Sequence, residues 1–403
     1  MFSTDHLTGA TARAAREGRA HRPAGPSGLP PALARAFAAD PPGAALPPGP
    51  RVNPWRSAGA VPAAMPERLR ELLGGLWSGD GLHRLEDGTV TGVRRRPVPS
   101  AGGAYPVQTH VVVGAPGARA GGAGPLDPGR YVYDHDQDTL LRRDDAADRA
   151  SGWNGGGARG ADGADGADGA DLRGAGTRLV LTVQPGRSYG RYRHRSWPLW
   201  IADTAYALAA VEFLIREPAP VRLGPGAPLR GLLGVPRAAE HERWTGRGLA
   251  PEIPLATIEL PHTWAVDPAR RDALAARRSP AISAFTAAAR SRPRAAGEPA
   301  GAREAAEACG QAWVLGAHRL ETWSVPADAP VAAVAGALWR AHREAAHLCY
   351  SGALSGSVRC RPVSGFRAVR GRWIVHALAM LPGPLAEPGA SAPETRPAEE
   401  TTS

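Results

Sequence analysis

The sequence carries RRRPVPSAGGAYP from Arg94 to Pro106. This stretch is a basic strand end followed by a turn of small residues. Gly102 and Gly103 let backbone N–H groups approach a ligand with no Cβ in the way. Ser100 adds a hydroxyl, and Pro99 and Pro106 stiffen the loop. Such a loop suits a flat polar ring or an anion. On these residues alone, an ordinary hairpin turn is the plain alternative.

Upstream, MPERLRELLGGLW places Leu69, Leu72, Leu73 and Leu76 at i, i+3, i+4 and i+7 behind Pro66, which predicts an amphipathic helix. Downstream, THVVVG, GRYVYD, TLLRR and TRLVLTVQP read as strands, with Tyr131 and Tyr133 on one face. An aromatic and basic run, SYGRYRHRSWP, then leads into LWIADTAYALAAVEFLIRE. That segment is apolar nearly all round and predicts a buried helix. A short helix around RGLLG and the strand PLATIEL close a first unit near His262.

A second unit opens at RRSPAISAFTAAA. It continues through a strand-like AWVLGAHRLETWSV, a long helix from about Val331 to Tyr350, SVRCRPVSGF and the strand RWIVHALAML. The expected organisation is a Pro-rich disordered segment over 1–50, a first domain over 51–262, a second over 277–385 and a disordered tail over 386–403. Within the first domain, 152–176 reads as a flexible acidic insertion, in which GAD repeats four times.

All 48 basic residues are Arg, against 38 acidic ones, giving a net charge of +10. The absence of lysine excludes a pyridoxal Schiff base, a lysine aldolase and a Walker A loop. The Arg are spread rather than clustered, which argues against nucleic acid. Cys309, Cys349 and Cys360 form no zinc spacing and read as reduced, packed thiols. His342 and His347 read as helix-surface histidines, and no metal is expected. No stretch reads as a signal peptide or a membrane span, so the expectation is a soluble cytoplasmic protein.

PSAGGAYP resembles the P-S-A-G-x-x-Y-P signature of the nitroreductase-like flavoproteins, above all their SagB-type dehydrogenase branch. Further elements recur in that branch's order. They are the strand THVVVG, Pro128–Asp134 as a "pGlYxYd" element, the basic–Tyr pair Arg191-Tyr192, and Arg195-Ser-Trp197 before Asp203. Last come RGLLGVPRAAEHERW and PLATIEL. The resemblance covers roughly 50–262. It implies an α+β, nitroreductase-like fold with a central antiparallel or mixed sheet flanked by helices. It also implies noncovalent FMN at a homodimer interface, and oxidation of thiazolines or oxazolines to azoles in a modified precursor peptide beside a cyclodehydratase partner. The echoes of R-R-S at Arg277–Ser279 and of RRRPVPSAGG in RCRPVSGF suggest a degenerate second copy. The alternatives are an NAD(P)H-dependent nitroreductase and a non-catalytic binding subunit.

Within that resemblance Tyr192 is the candidate base or proton relay, and Arg191 stands where relatives carry Lys. A phenol needs cationic neighbours to ionise near neutrality, and Arg191, Arg193 and Arg195 are the expected source. Arg51, Arg56 and Arg195 are candidates for the FMN phosphate, with Arg94, Arg95 and Arg96 equally basic. Ser100, Gly102 and Gly103 are the choice for the ring and ribityl contacts. Where relatives read D-x-G-H-x-x-Q-N, this chain has Tyr206 at the His place and Ala209-Ala210 at the Gln-Asn place. That departure removes polar contacts and bears on activity more than on fold.

Overall fold

The computed structural model describes Ala36, Leu46 and residues 52–79, 81–84, 88–114, 126–143, 176–235, 241–293 and 297–383. Its strands up to the first sheet's end are β1 (Val61–Ala63), β2 (Leu82–Arg84), β3 (Val90–Arg94), β4 (Val107–Val113), β5 (Gly129–Asp134), β6 (Thr139–Arg142), β7 (Thr177–Val183), β8 (Val221–Leu223) and β9 (Ile253–Leu260). Among them lie α1 (Glu67–Trp77), α2 (Gly186–Tyr192), α3 (Ser196–Ile215), α4 (Ala227–Leu233) and α5 (His241–Thr245). Then follow α6 (Pro268–Ala276), α7 (Ile282–Ser291), α8 (Ala302–Cys309), β10 (Arg319–Pro326), α9 (Val331–Ser355), β11 (Val358–Val363), β12 (Ala368–Val369) and β13 (Arg372–Pro382).

Seven strands form one antiparallel sheet in the order β1-β6-β5-β4-β7-β9-β8. Its three central strands are buried on both faces, so strand alternation sorts residues between two cores rather than between core and water. Val111, Tyr131, Tyr133, Leu179 and Leu181 enter the main core with α1 and α3. Val112, Val132 and Val180 face the other way, onto Trp55, Leu233 and Trp244. Tyr131 and Tyr133 do share a face, and the four leucines of α1 are wholly buried. Each such leucine contributes about 1.5–3 kcal/mol relative to exposure.

A polar network lies on the second face. His110 Nε2 and Glu252 Oε2 are 2.7 Å apart and fully buried. Thr182 and Gln184 also donate to that carboxylate, at 2.6 and 3.3 Å, as does Trp55 Nε1 at 3.1 Å. Burial works to raise the Glu252 carboxyl, but His110, Thr182 and Trp55 outweigh it and hold the group down at about 2.

α3 is the central helix. Residues Gly186–Ile215 are long and apolar enough to cross a membrane, yet 78% of an apolar 18-residue window within them is buried inside the protein, as in a core helix. The first sheet covers one side of α3, and α9 with the second sheet covers another. The second sheet has the order β10-β13-β11, with β12 also on β13, all antiparallel. A bulge opposite Trp323 and Ser324 resets the alternation of β13. Val375 therefore enters the main core, and His376 reaches Tyr206 of α3, 3.1 Å from its hydroxyl.

Three readings of the second half change. His342 is not on a surface: it is 3% exposed, its ring 4.1 Å from that of His376. His347 is half-exposed and pairs with Glu212. Five residues separate the two, about 140° around the helix, so one faces in and the other out. The expected strand at AWVLG is a 3-10 turn, Ala312–Gly316, because Gly316 lies against the Phe285 backbone, where a Cβ has no room. Helices α6 and α8 have no counterpart in the sequence reading. The 1–50 segment lies almost wholly outside the described residues, but Ala36 is helical and buried in the main core, and Leu46 N–H donates to Gly190 O at 2.7 Å. The insertion and the tail lie outside them as well.

Glu252→Gln should cost about 3–5 kcal/mol in urea denaturation near neutrality, because it leaves the buried network short of its charge. The native carboxyl is depressed, so its contribution is present above the ordinary carboxylate range and is lost as pH falls toward 2. The variant's deficit should therefore shrink in acid, and a deficit independent of pH would contradict this role.

Candidate functional site

The PSAGGAYP loop bridges β3 and β4 as a short 3-10 turn, Ala101–Gly103, with Gly102 at φ 57°. Asp203, in the middle of α3, holds it. Its Oδ2 accepts from Ser100 Oγ at 2.7 Å, and its Oδ1 from Ala101 N at 3.0 Å. Ser100 Oγ in turn accepts the Tyr105 N–H at 2.9 Å. Burial raises the Asp203 carboxyl to about 7, and the bonds from Ser100 and Ala101 pull against that rise.

Tyr105 is the loop's fixed point. It is 6% exposed, with φ 45°, a left-handed conformation that a bulky residue adopts only when its surroundings impose it. The Arg96 N–H donates to its hydroxyl at 3.3 Å and Arg187 Nη1 to its carbonyl at 3.0 Å. The Arg96 guanidinium stands 5.3 Å from its ring centroid. Burial raises the Tyr105 phenol, so it serves here as a protonated anchor.

The sequence-predicted pair arrives from the other side. Trp200 Nε1 donates to Ser188 Oγ at 2.7 Å and ties α2 to α3 across a kink at Arg193, φ 50°. The kink brings Arg191 and Tyr192 over the loop. A Cβ on Gly102 would run into the Tyr192 hydroxyl and stand 3.1 Å from Arg191 Nη1. The Arg191 guanidinium lies 5.5 Å from the Tyr192 ring centroid. Gly103 faces Val93 and His83 of the β2–β3 hairpin instead. So the structure brings Ser100, Gly102, Arg191 and Tyr192 together, with Gly103 closing the underside.

One expectation needs correction. Burial raises the Tyr192 phenol above its ordinary value; Arg191 lowers it and Asp203 raises it further. The cationic neighbourhood does not win, and Tyr192 is a protonated hydroxyl at neutral pH. Arg56 is also committed, bidentate to Asp134 and near Asp136, which pairs with Arg96 at 3.3 Å. Arg195 lies in the 3-10 turn Arg193–Arg195 that leads into α3, and Arg51 lies outside the described residues.

Sequence reasoning missed three contributors. Asp203 was only a motif mark, and Arg187 was not singled out. Arg277 comes from beyond the first sheet: its Nη2 donates to Pro97 O at 3.1 Å, and its buried Nε has no hydrogen-bond partner among the described residues. Only the R-R-S echo at Arg277–Ser279 pointed to it. The helix departures are packing features. The Tyr206 hydroxyl meets His376, its carbonyl accepts from Tyr350 at 2.9 Å, and Ala209 and Ala210 are fully buried. A surface depression of about 460 Å³ between Glu298 and Arg370 shares no residue with this loop.

No family model and no curated protein matches the sequence. Among solved structures, a protein named as a nitroreductase from Anabaena variabilis is similar at 15% identity and TM-score 0.50, over 79% of this chain and 88% of that one. Two others overlap less. The E. coli microcin synthetase McbBCD complex with truncated pro-MccB17 bound matches at 16% identity and TM-score 0.27, over 64% of this chain and 83% of that one. A protein named as a nitroreductase from Ralstonia eutropha matches at 21% identity and TM-score 0.26, over 54% and 88%. The first likeness makes the fold nitroreductase-like, an α+β architecture with a large antiparallel sheet flanked by helices.

Gly102→Ala should destabilise the protein by about 1–2 kcal/mol through its left-handed backbone, and further through the Tyr192 hydroxyl. Tyr192→Phe removes that obstacle. In a denaturation double-mutant cycle the alanine should cost less in the Phe background. Strict additivity would mean the two residues do not meet.

Proposed function

We propose that this chain is an FMN-dependent oxidoreductase that converts thiazoline or oxazoline rings of a modified precursor peptide to azoles, working beside a cyclodehydratase. One observation carries the reading: Arg191 and Tyr192 converge on Gly102 of the PSAGGAYP loop, although strands β4, β5, β6 and β7 stand between them in sequence. The homodimer and cytoplasmic location implied by the resemblance belong to the same proposal.

The residues present fit a flavin. Gly102 is exposed, and Ser100, whose hydroxyl is bonded to Asp203 and Tyr105, stands beside it. Arg277, whose Nη2 holds Pro97 O, has a buried Nε with no hydrogen-bond partner among the described residues, and a guanidinium suits a phosphate. Ser100 and Gly102 would hold the ring edge, with Gly103 supporting the turn from beneath, and Arg277 with Arg195 the anionic end. Bound FMN would supply the hydride acceptor. The Arg191 guanidinium, with donors and no acceptor, orients anionic or carbonyl groups. Tyr192 donates a hydrogen bond to the substrate ring and relays protons. It accepts one from the substrate side only as its own passes to solvent.

A second reading rests on the raised Tyr192 phenol, since a hydroxyl held protonated suits proton delivery to a substrate being reduced. That is the nitroreductase direction, with NAD(P)H as reductant.

The purified protein should be yellow and release FMN on denaturation. Azoline peptide should bleach the flavin in a single turnover, and Tyr192→Phe should slow this by roughly 10²–10⁴-fold without loss of flavin. Arg191→Lys should be tolerated. Arg191→Ala removes a neighbour that lowers the phenol, so the pH optimum should move up. A flavin bleached by NAD(P)H and by no azoline would select the second reading. A colourless protein that takes up no FMN would end both.

A further inference from the structure

We propose that Asp203 is a positioning residue that acts through Ser100: its carboxylate keeps the Ser100 hydroxyl proton turned into the protein, and its protonated form releases that proton toward the open face of the loop. The flavin arm of the argument rests on the function proposed above.

The case is one of hydrogen-bond direction. A serine hydroxyl has one proton and two lone pairs. Ser100 Oγ already accepts the Tyr105 N–H at 2.9 Å, which uses one lone pair. Its 2.7 Å contact to Asp203 Oδ2 admits two arrangements. When Asp203 is a carboxylate, it can only accept, so the serine proton points at Oδ2. When Asp203 is protonated on Oδ2, the acid donates and fills the second lone pair. The serine proton is then left over, and it turns toward the exposed side beside Gly102. Ala101 N–H stays on Oδ1 in both states, at 3.0 Å, so the loop keeps its place.

The surroundings let Asp203 take both states. It is 5% exposed, and among the described residues it has no ion pair. Tyr105 faces it from the loop and Tyr192 from α2, and both feel its charge. Arg191 faces Tyr192 rather than Asp203, and Arg277 acts on Tyr105. Burial lifts the carboxyl to about 7, so both states are populated near neutrality.

The test measures FMN dissociation constants by flavin fluorescence from pH 5.5 to 9 for the native chain, Asp203→Asn, Ser100→Ala and the double variant. Asparagine accepts from Ala101 through its oxygen and donates to Ser100 through its amide, which imitates the protonated acid. The flavin phosphate titrates in this range, so the readout is the ratio of native to Asp203→Asn constants, in which the phosphate cancels. That ratio should be near one at pH 5.5 and rise to about fivefold to tenfold at pH 9, the worth of one hydrogen bond. In the Ser100→Ala background the ratio should stay flat. A ratio that is constant in the native background, or that falls with pH, overturns the proposal while leaving FMN binding intact. If no variant binds FMN, the flavin reading fails and a second measurement decides: the carboxyl carbon shift of Asp203 by NMR in the ligand-free protein. Ser100→Ala removes the donor that favours the carboxylate, so the midpoint should rise. An unchanged or lowered midpoint overturns the proposal, and this arm stands even if Asp203→Asn fails to fold.

Discussion

Burial of one helix, α3, which is apolar nearly all round, organises the elements packed against it. Such a helix cannot lie on a surface. It needs cover on every side, and one antiparallel sheet supplies cover on one side only. The remaining faces are taken by α1, α9 and the second sheet. The second sheet therefore completes the same core, which runs without a break from Leu69 through Ala209 to Leu378. Polar groups also bridge that junction: Tyr206 meets His376, and Glu212 meets Arg343.

This helix also fixes the site. Asp203 stands on it and grips the loop at Ser100 and Ala101. The kink at its start carries Arg191 and Tyr192 over the same loop. A side chain on the most buried helix is a firmer support than another loop. The strained conformations at Tyr105 and Arg193 sit at either end of this arrangement. Their surroundings impose them, which is where strained backbone tends to accompany function.

Most of the elements were legible in the sequence because their patterns are local. The leucines of α1, the alternation in β5 and the all-round apolarity of α3 each follow from a few adjacent residues. The loop was legible through its small residues and prolines, and Tyr192 through its motif. Less legible was whatever depends on distant partners. His342 is buried because β13 brings His376 to it. Gly316 ends a would-be strand because the Phe285 backbone lies against it. Arg56 resembles a phosphate ligand until Asp134 and Asp136 are placed beside it. The Tyr192 phenol was expected to be lowered by three arginines. Burial and Asp203, which only the fold brings together, raise it instead.

The loop held by Asp203 is the proposed seat of the flavin ring. A crystal structure of the protein grown with FMN tests it most directly. The account predicts ring density against Ser100–Gly103, with the Tyr192 hydroxyl at its edge and the Asp203 contacts to Ser100 and Ala101 kept. Flavin bound elsewhere, for instance in the depression beside Arg370, with the loop unchanged, would contradict it.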